Sequence, residues 1–307
     1  MTPRSPAESR EQPGFRSGFV AVVGRPNVGK SSLVNALVGT KVAVVSDKPQ
    51  TTRQPIRGIL NGGGFQVVFT DTPGFHKPRT PPGERLNRRV ADAVSDVDMV
   101  LMVVDAAAGV GRGDAFVAEH EVTPFAGPKV CAVNKIDLAR GRREVPQLAA
   151  AESLGGFEHI VPTSATTGRG LEDLLALLVG LLPFGPPPFP PDLATDLPIE
   201  LRVAEIVREK ALALTWEEIP HSIAVVTDEI DRDPRTGLVR VSCRVLVERE
   251  SQKAIVIGRG GEMLKAIGTR ARPELEQLFG GKVFLDLRVK VMKDWQRDEA
   301  AMDRLGL

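Results

Sequence analysis

Tyrosine is absent from the 307 residues, and cysteine occurs only twice, at Cys131 and Cys243. Two isolated cysteines in apolar, strand-like runs supply neither a disulfide framework nor a metal cluster; they read as small hydrophobes in a reducing compartment. No apolar run approaches the ~20 residues needed to span a bilayer. Nor does Met1 to about Gly14 contain the apolar core of a signal peptide; that stretch is rich in Pro, Ser, Arg and Glu and reads as a disordered tail, 1–17, on a cytoplasmic protein. Excess charge is missing as well. With 40 Lys and Arg against 39 Asp and Glu, the net charge is +1, so no global field argues for nucleic acid or membrane, and any such partner must be read locally.

What is present is enough length for two domains, with 42% hydrophobic residues. Near its start, Gly24-Arg25-Pro26-Asn27-Val28-Gly29-Lys30-Ser31 fits the pattern G-x-x-x-x-G-K-[ST]. Phe19 to Val23 before it is an apolar, β-branched run, the pattern of a buried strand, and Ser32 to Val38 after it has helical spacing. Strand, Gly-rich loop and helix make a cradle of backbone N–H groups and a positive helix end for phosphates. Lys30 reaches the β- and γ-phosphates in such a cradle, and the Ser31 hydroxyl holds Mg²⁺. A chance Gly-rich turn is the bland alternative, and both flanks speak against it.

Lys41 to Ile59 reads as a loop around Pro49-Gln50-Thr51-Thr52-Arg53, close enough to the cradle to carry a hydroxyl to the metal. Of the two threonines, Thr52 is preferred as ligand and Thr51 is the alternative. Gly62-Gly63-Gly64 reads as a hairpin turn into the strand Phe65 to Thr70. That strand ends in Asp71-Thr72-Pro73-Gly74, which places a carboxylate for Mg²⁺ and a backbone N–H for a γ-phosphate. His76 to Glu84 reads as mobile and Leu86 to Val97 as helical. Val100 to Asp105 is a buried strand, a helix lies around Asp114 to Glu121, and Lys129 to Val133 is the next strand.

That strand ends in Asn134-Lys135-Ile136-Asp137. A carboxylate at Asp137 can accept hydrogen bonds from both N1–H and the 2-amino group of guanine, a donor pair that adenine lacks. Asn134 would bond the purine and brace the phosphate loop, while the Lys135 stem lies along the base. After the strand His159 to Pro162, small residues at Ser164-Ala165 let a backbone N–H approach guanine O6, and Gly170 opens the helix Leu171 to Leu182. Alternating strands and helices with short connections imply an α/β, doubly wound, mostly parallel sheet. All four motifs fall at or just past strand carboxyl ends, where such sheets bind ligands.

In that order these motifs resemble the signature of a Ras-like, translation-factor-class GTPase. The resemblance implies GTP and GDP as ligands with Mg²⁺. It assigns nucleotide contacts to Asn27, Val28, Gly29, Lys30, Ser31, Ser32, Asp71, Gly74, Asn134, Lys135, Asp137, Ser164 and Ala165. The metal falls to Ser31, Thr52 and Asp71, and catalysis to Lys30, Thr52 and Gly74. Many relatives carry a water-orienting Gln after Asp-Thr-Pro-Gly. Phe75 stands here instead, as in the branch with a hydrophobic residue at that position, and the expectation is slow intrinsic turnover.

Seven prolines between Leu182 and Pro198 suit stiff extended chain and read as a linker, 184–198, after a GTPase domain, 18–183. A loop packed on the first domain is the alternative. The remainder, 199–307, reads as helix Ile199 to Leu214, strands Ser222 to Ile230 and Leu238 to Glu248, a Gly258-x-x-Gly261 turn between helices, and strand Val283 to Val291. That order resembles a smaller, α+β type II KH domain, whose glycine turn lets backbone approach nucleic-acid backbone. Ile257, Gly258, Arg259, Gly260, Gly261, Lys265, Arg270 and Lys290 are the RNA-contact candidates. Trp295, in a C-terminal helical segment, either stacks on a base or caps the core.

The two-domain pattern resembles a bacterial family of GTPases that end in a type II KH domain. The resemblance implies a switch that binds the single-stranded 3′ end of small-subunit ribosomal RNA and assists 30S subunit assembly. A monomer is expected. No amphipathic stretch calls for a membrane, so weak peripheral contact at the inner face of the cell membrane stays a side alternative. An RNA-binding assembly protein with a vestigial GTPase fold, a small-molecule kinase and a double GTPase are the rivals; intact Lys30, Ser31, Asp71 and Asp137, the Asn134-Lys135-x-Asp137 motif and the single phosphate loop oppose them in turn.

Overall fold

The computed structural model describes residues 14–46, 55–74, 90–139, 144–215 and 222–295. The tail before Gly14, the Thr51-Thr52 loop, Phe75, most of the stretch expected to be mobile or helical after it, and the chain beyond Trp295 lie outside the described residues. The chain divides into two compact units, the first closing at Asp196 and the second running on from Leu197.

The first unit is built on strands β1 (Arg16–Val23), β2 (Ile56–Gly62), β3 (Phe65–Asp71), β4 (Met99–Asp105), β5 (Lys129–Asn134) and β6 (His159–Pro162), in the order β2-β3-β1-β4-β5-β6. All neighbouring pairs are parallel except β2 with β3. Helices α1 (Lys30–Val38), α2 (Arg112–Val117) and α3 (Glu144–Glu152) lie in crossovers, as parallel strands require, and α4 (Leu171–Leu181) follows the last strand, β6. β4 is buried along its whole length, the continuous apolar pattern of a strand covered on both faces. Val23, Met102, Val104, Cys131 and Val133 join one core cluster with Val117 and Ala151.

Two local elements differ from the sequence expectation. β2 occupies part of the expected loop: Arg57, Gly58, Asn61 and Gly62 break its apolar pattern, and pairing with β3 supplies what the pattern lacks. The helix expected over Asp114 to Glu121 is α2 followed by a π-helical turn, Ala118–Val122.

The Pro-rich stretch, expected as a linker over 184–198 with a loop packed on the first domain as the alternative, is bound to the first unit as far as Asp196. Prolines lack N–H groups, yet their carbonyls still accept. Ser17 donates its N–H to Pro183 O at 3.1 Å and its Oγ to Pro186 O at 2.8 Å. The Arg16 guanidinium lies 4.2 Å over the Phe184 ring. Gln66, fully buried, exchanges a pair of 2.9 Å hydrogen bonds with the backbone of Phe189. Ile59 N–H donates to Ala194 O at 2.8 Å, and Arg57 pairs with Asp196 at 2.7 Å.

The second unit begins with α5 (Ile199–Leu214). Its three-stranded sheet comprises β7 (Ala224–Arg232), β8 (Val239–Val247) and β9 (Val283–Val291), in that spatial order, with β7 antiparallel and β9 parallel to β8. Between β8 and β9 run α6 (Glu250–Ile257), a single 3₁₀ turn (Arg259–Gly261) and α7 (Glu262–Phe279). Val203 and Val207 of α5, Val256 of α6 and Ile267, Ala271 and Leu275 of α7 pack with Val241, Cys243 and Val245 in one core. Trp295 caps rather than stacks outward: its side chain is buried against Ala224 and Leu246, and its Nε1–H donates to Ser222 O at 3.3 Å.

Replacing Gln66 with Ala strips the half-buried Phe189 of both these side-chain partners, and leaving partly buried backbone polar groups unpaired costs on the order of 1 kcal/mol. Gln66→Ala is therefore expected to lower the unfolding midpoint and to speed chymotrypsin cleavage of the docked stretch after Leu193, the Phe189–Pro190 bond itself being resistant. Denaturant titration and limited proteolysis check both.

Candidate functional site

The sheet order sets β3, β1, β4, β5 and β6 side by side, so their carboxyl ends share one rim. The Gly24–Ser31 loop leaves β1 there and turns into α1 through backbone that only a few residue types tolerate: Gly24 has φ 152°, Asn27 φ 64° and Gly29 φ 98°. α1 starts from Gly29 with no side-chain cap and no acidic residue in its first turn. Its positive end therefore suits an anion.

Lys30 is buried, and its ammonium donates to Gly24 O at 3.0 Å and Arg25 O at 3.1 Å. Burial lowers its pKa from 10.5 to about 8, against the opposing pull of the Asp71 carboxylate. Ser31 Oγ donates to Asp71 Oδ2 at 2.6 Å. A hydroxyl and a carboxylate set together are hard oxygen donors of the kind Mg²⁺ takes, so the residues present fit the metal. Thr72 anchors the strand end by donating its hydroxyl to Val22 O at 2.7 Å. Gly74 abuts the phosphate loop: a Cβ there would lie 2.7 Å from Pro26 N.

On the other side, Asn134 is buried and bridges two loops. Its Nδ2 donates to Val28 O at 3.1 Å, and its Oδ1 accepts the Ala165 N–H at 3.1 Å. The expected brace to the phosphate loop is thus present, and the Ala165 N–H is directed to Asn134. Ser164 Oγ donates to Asp137 Oδ1 at 2.6 Å and accepts the Thr167 N–H at 3.1 Å, which orients the carboxylate. Lys135, at φ 63°, sends its ammonium to Asn27 O at 2.5 Å and to Asp105 Oδ2 at 2.6 Å.

The structure gathers every described nucleotide candidate on this rim; Thr52 is outside the described residues. Sequence reasoning missed Asp105, although it ends a strand exactly as Asp71 does and the same rule would have found it. It also missed the Arg25–Asp114 ion pair, at 2.7 Å, for which residues so far apart in the chain carry no local signal.

In the second unit, Ile257 ends α6 and the turn follows with Gly258 at φ 75°, Gly260 at φ 60° and Gly261 at φ 83°. A Cβ on Gly258 would meet Met263 N at 2.8 Å, whereas Gly260 and Gly261 have nothing within 4 Å of that position. Backbone is thus laid bare at two successive residues, with Arg259 and Lys265 exposed beside it. The other candidates are less well gathered. Arg270 lies five residues beyond Lys265, about 140° around the helix. Lys290 alternates with Val289 and Val291 on β9, and those two pack into the core, so it points to the sheet's opposite face.

A family model described as a 50S ribosome-binding GTPase matches residues 19–135, and a KH domain model matches residues 218–296. GTPase Era of Mycobacterium sp. (strain KMS) is 49% identical over 297 residues, covering 95% of this chain and 99% of that protein. GTPase Era of Mycobacterium tuberculosis (strain ATCC 25177 / H37Ra) is 47% identical over 296 residues, with the same coverage. Two solved structures share a TM-score of 0.91 and 38% identity over 95% of this chain and 99% of theirs: an Aquifex aeolicus Era variant bound to GDP and tetrafluoroaluminate, and Era in complex with MgGDPNP and nucleotides 1506–1542 of 16S ribosomal RNA. Fold and site define a P-loop GTPase that carries a KH domain. Within that class the chain belongs to the GTPase Era family; it takes GTP and GDP with Mg²⁺ and hydrolyses GTP.

The lowered pKa of Lys30 has a thermodynamic consequence. The unfolded chain keeps this proton up to pH 10.5 and the folded chain releases it near 8, so between those values the unfolded state binds more protons. Folding stability then rises with pH through that window, by on the order of 3 kcal/mol if the whole difference is expressed. Denaturant midpoints at pH 7.5 and pH 10.5, without nucleotide, are expected to show this rise in the wild type relative to Lys30→Met.

Proposed function

We propose that this GTPase is a nucleotide-controlled clamp for the single-stranded 3′ end of small-subunit ribosomal RNA, and that it assists 30S subunit assembly and ribosomal RNA maturation. The observation that carries the RNA half is the bare backbone at Gly260 and Gly261, set between two helices with Arg259 and Lys265 beside it. The 16S RNA in the solved Era complex supports the choice of the small subunit. That complex matches nearly the whole chain, whereas the family description naming the 50S particle covers only the first unit, so we follow the fuller match. Cys131 and Cys243, both buried free thiols, agree with a reducing cytoplasm, and we take the working form to be a monomer. Among the described residues no helix is long and apolar enough to cross a membrane.

In the proposed site, Asp137 reads N1–H and the 2-amino group of guanine, Asn134 and Lys135 shape the base pocket, and the loop from Asn27 to Ser32 holds the phosphates. Ser31 and Asp71, with Thr52, would hold Mg²⁺, which neutralises charge on the β- and γ-phosphates when bound. Water oxygen bonds to the γ-phosphorus as the bond to the β-phosphate oxygen breaks, giving GDP and inorganic phosphate. Lys30 stabilises the charge that develops on the bridging and γ-oxygens, and the Gly74 N–H faces the γ-phosphate. Phe75 has no hydrogen-bonding group with which to orient the water, and slow turnover follows.

Two substitutions test the two halves. Asp137→Asn exchanges a carboxylate for an amide and is expected to shift preference from guanosine to xanthosine nucleotides by more than tenfold in competition binding. Gly260→Asp places a tolerated residue at positive φ in free space and sets a negative charge where phosphate would pass. It is expected to weaken binding to a 3′-terminal 16S RNA oligonucleotide by at least about tenfold, with GTP hydrolysis unchanged. Equal RNA binding by the variant and the wild type would remove the clamp assignment.

A further inference from the structure

The segment from Asp105 to Asp114 joins β4 to α2 and carries a carboxylate at each end. Asp105 Oδ1 accepts the N–H groups of Ala107 and Ala108 at 2.8 and 2.9 Å, a turn that leaves Oδ2 for Lys135 Nζ at 2.6 Å. Lys135 passes the constraint on, donating to Asn27 O at 2.5 Å. At the other end, Asp114 Oδ2 accepts the Gly111 N–H at 2.9 Å, and Oδ1 takes Arg25 Nε at 2.7 Å. Arg25 also donates to Gly109 O at 3.2 Å. Gly113 leaves room for it, since a Cβ there would fall 2.4 Å from Arg25 Cδ.

Both ion pairs are sheltered: the Asp105 and Asp114 side chains are 10% and 0% exposed, their cationic partners 29% each. Arg25 and Asn27 flank Pro26, so one segment grips the same loop at two points through two different cations. Such a grip has a physical purpose. Asn27 and Lys135 both sit at positive φ without being glycine, which costs each roughly 1–2 kcal/mol and persists only where surrounding contacts over-determine it.

We infer that Asp105–Asp114 is a positioning element of the nucleotide site, in which Asp105, through Lys135, and Asp114, through Arg25, fix the shape of the phosphate loop. The inference rests on the proposed assignment of Gly24–Ser31 as that loop. All four oxygens of the two carboxylates are taken by protein donors, so the chemistry of hydrolysis is left to the residues named above. What the element governs is how long a guanine nucleotide is retained.

The test is a double-mutant cycle on full-length protein, read as the dissociation rate of a fluorescent GDP analogue. Asp105→Asn keeps an oxygen for the Ala107 and Ala108 N–H groups and removes only the charge facing Lys135. Loss of one charge-assisted hydrogen bond is expected to speed dissociation about tenfold. Lys135→Met is expected to do at least as much, and the double variant to match Lys135→Met alone, because Asp105 acts through that lysine. A structural role elsewhere would make the two effects multiply. Arg25→Met is the parallel probe of the second grip, chosen because Asp114 is fully buried and its own replacement endangers folding; a severalfold faster dissociation is expected. Wild-type rates in Asp105→Asn and Arg25→Met, or multiplicative effects in the cycle, would overturn the inference. A wild-type protein that failed to bind the analogue would instead strike at the phosphate-loop assignment.

Discussion

A single buried amide, that of Asn134, is the constraint on which the first unit's chemistry turns. It donates to the carbonyl of Val28 and accepts from the N–H of Ala165, so the loop after β1, the end of β5 and the loop after β6 are held in one register. Gly29 is the condition for that approach: a Cβ there would stand 2.4 Å from the Asn134 amide nitrogen. The glycine thus serves twice, once for its positive φ at the start of α1 and once for the space that it cedes. Around this joint the other polar contacts fall into two groups. Ser31 with Asp71 lies on the side proposed for the metal, and Ser164 with Asp137 on the side proposed for the base, each pair closed at 2.6 Å.

Most of this was legible in the sequence, because motifs at strand carboxyl ends announce both the fold and the site that the fold creates. The buried parallel strands carry continuous apolar runs, and only Gly-rich chain can leave β1 and enter α1 so tightly. What escaped was governed by tertiary contact. β2 has little apolar pattern of its own and exists through pairing with β3. The π-helical turn at Ala118–Val122 leaves no trace in a periodicity that averages over a helix. Arg25 and Asp114 meet only because β1 and β4 are neighbours. Asp105 was visible and passed over, since nothing in the known motif pattern asks for a carboxylate there.

The second unit shows the opposite balance. Its order of elements was plain, yet the electrostatic surface was not, because a list of basic residues says nothing about which face each occupies. The alternation of β9 takes Lys290 away from the glycine turn, and helical rotation separates Arg270 from Lys265. What remains at the turn is mostly backbone, with two cations. A surface of that kind grips the sugar-phosphate chain closely and leaves base selection to other contacts. Trp295, sequestered under the Ser222 carbonyl, consolidates the sheet end.

The docked proline-rich stretch carries a practical lesson for dissecting this molecule. Its Ala194 carbonyl takes the Ile59 N–H of β2, the outermost strand on that side of the sheet. A polypeptide cut back to the last turn of α4 would bare that margin, and naked strand margins recruit strands from other molecules. A well-behaved fragment of the enzymatic half must therefore be carried through to Asp196, well past the point at which its last helix ends.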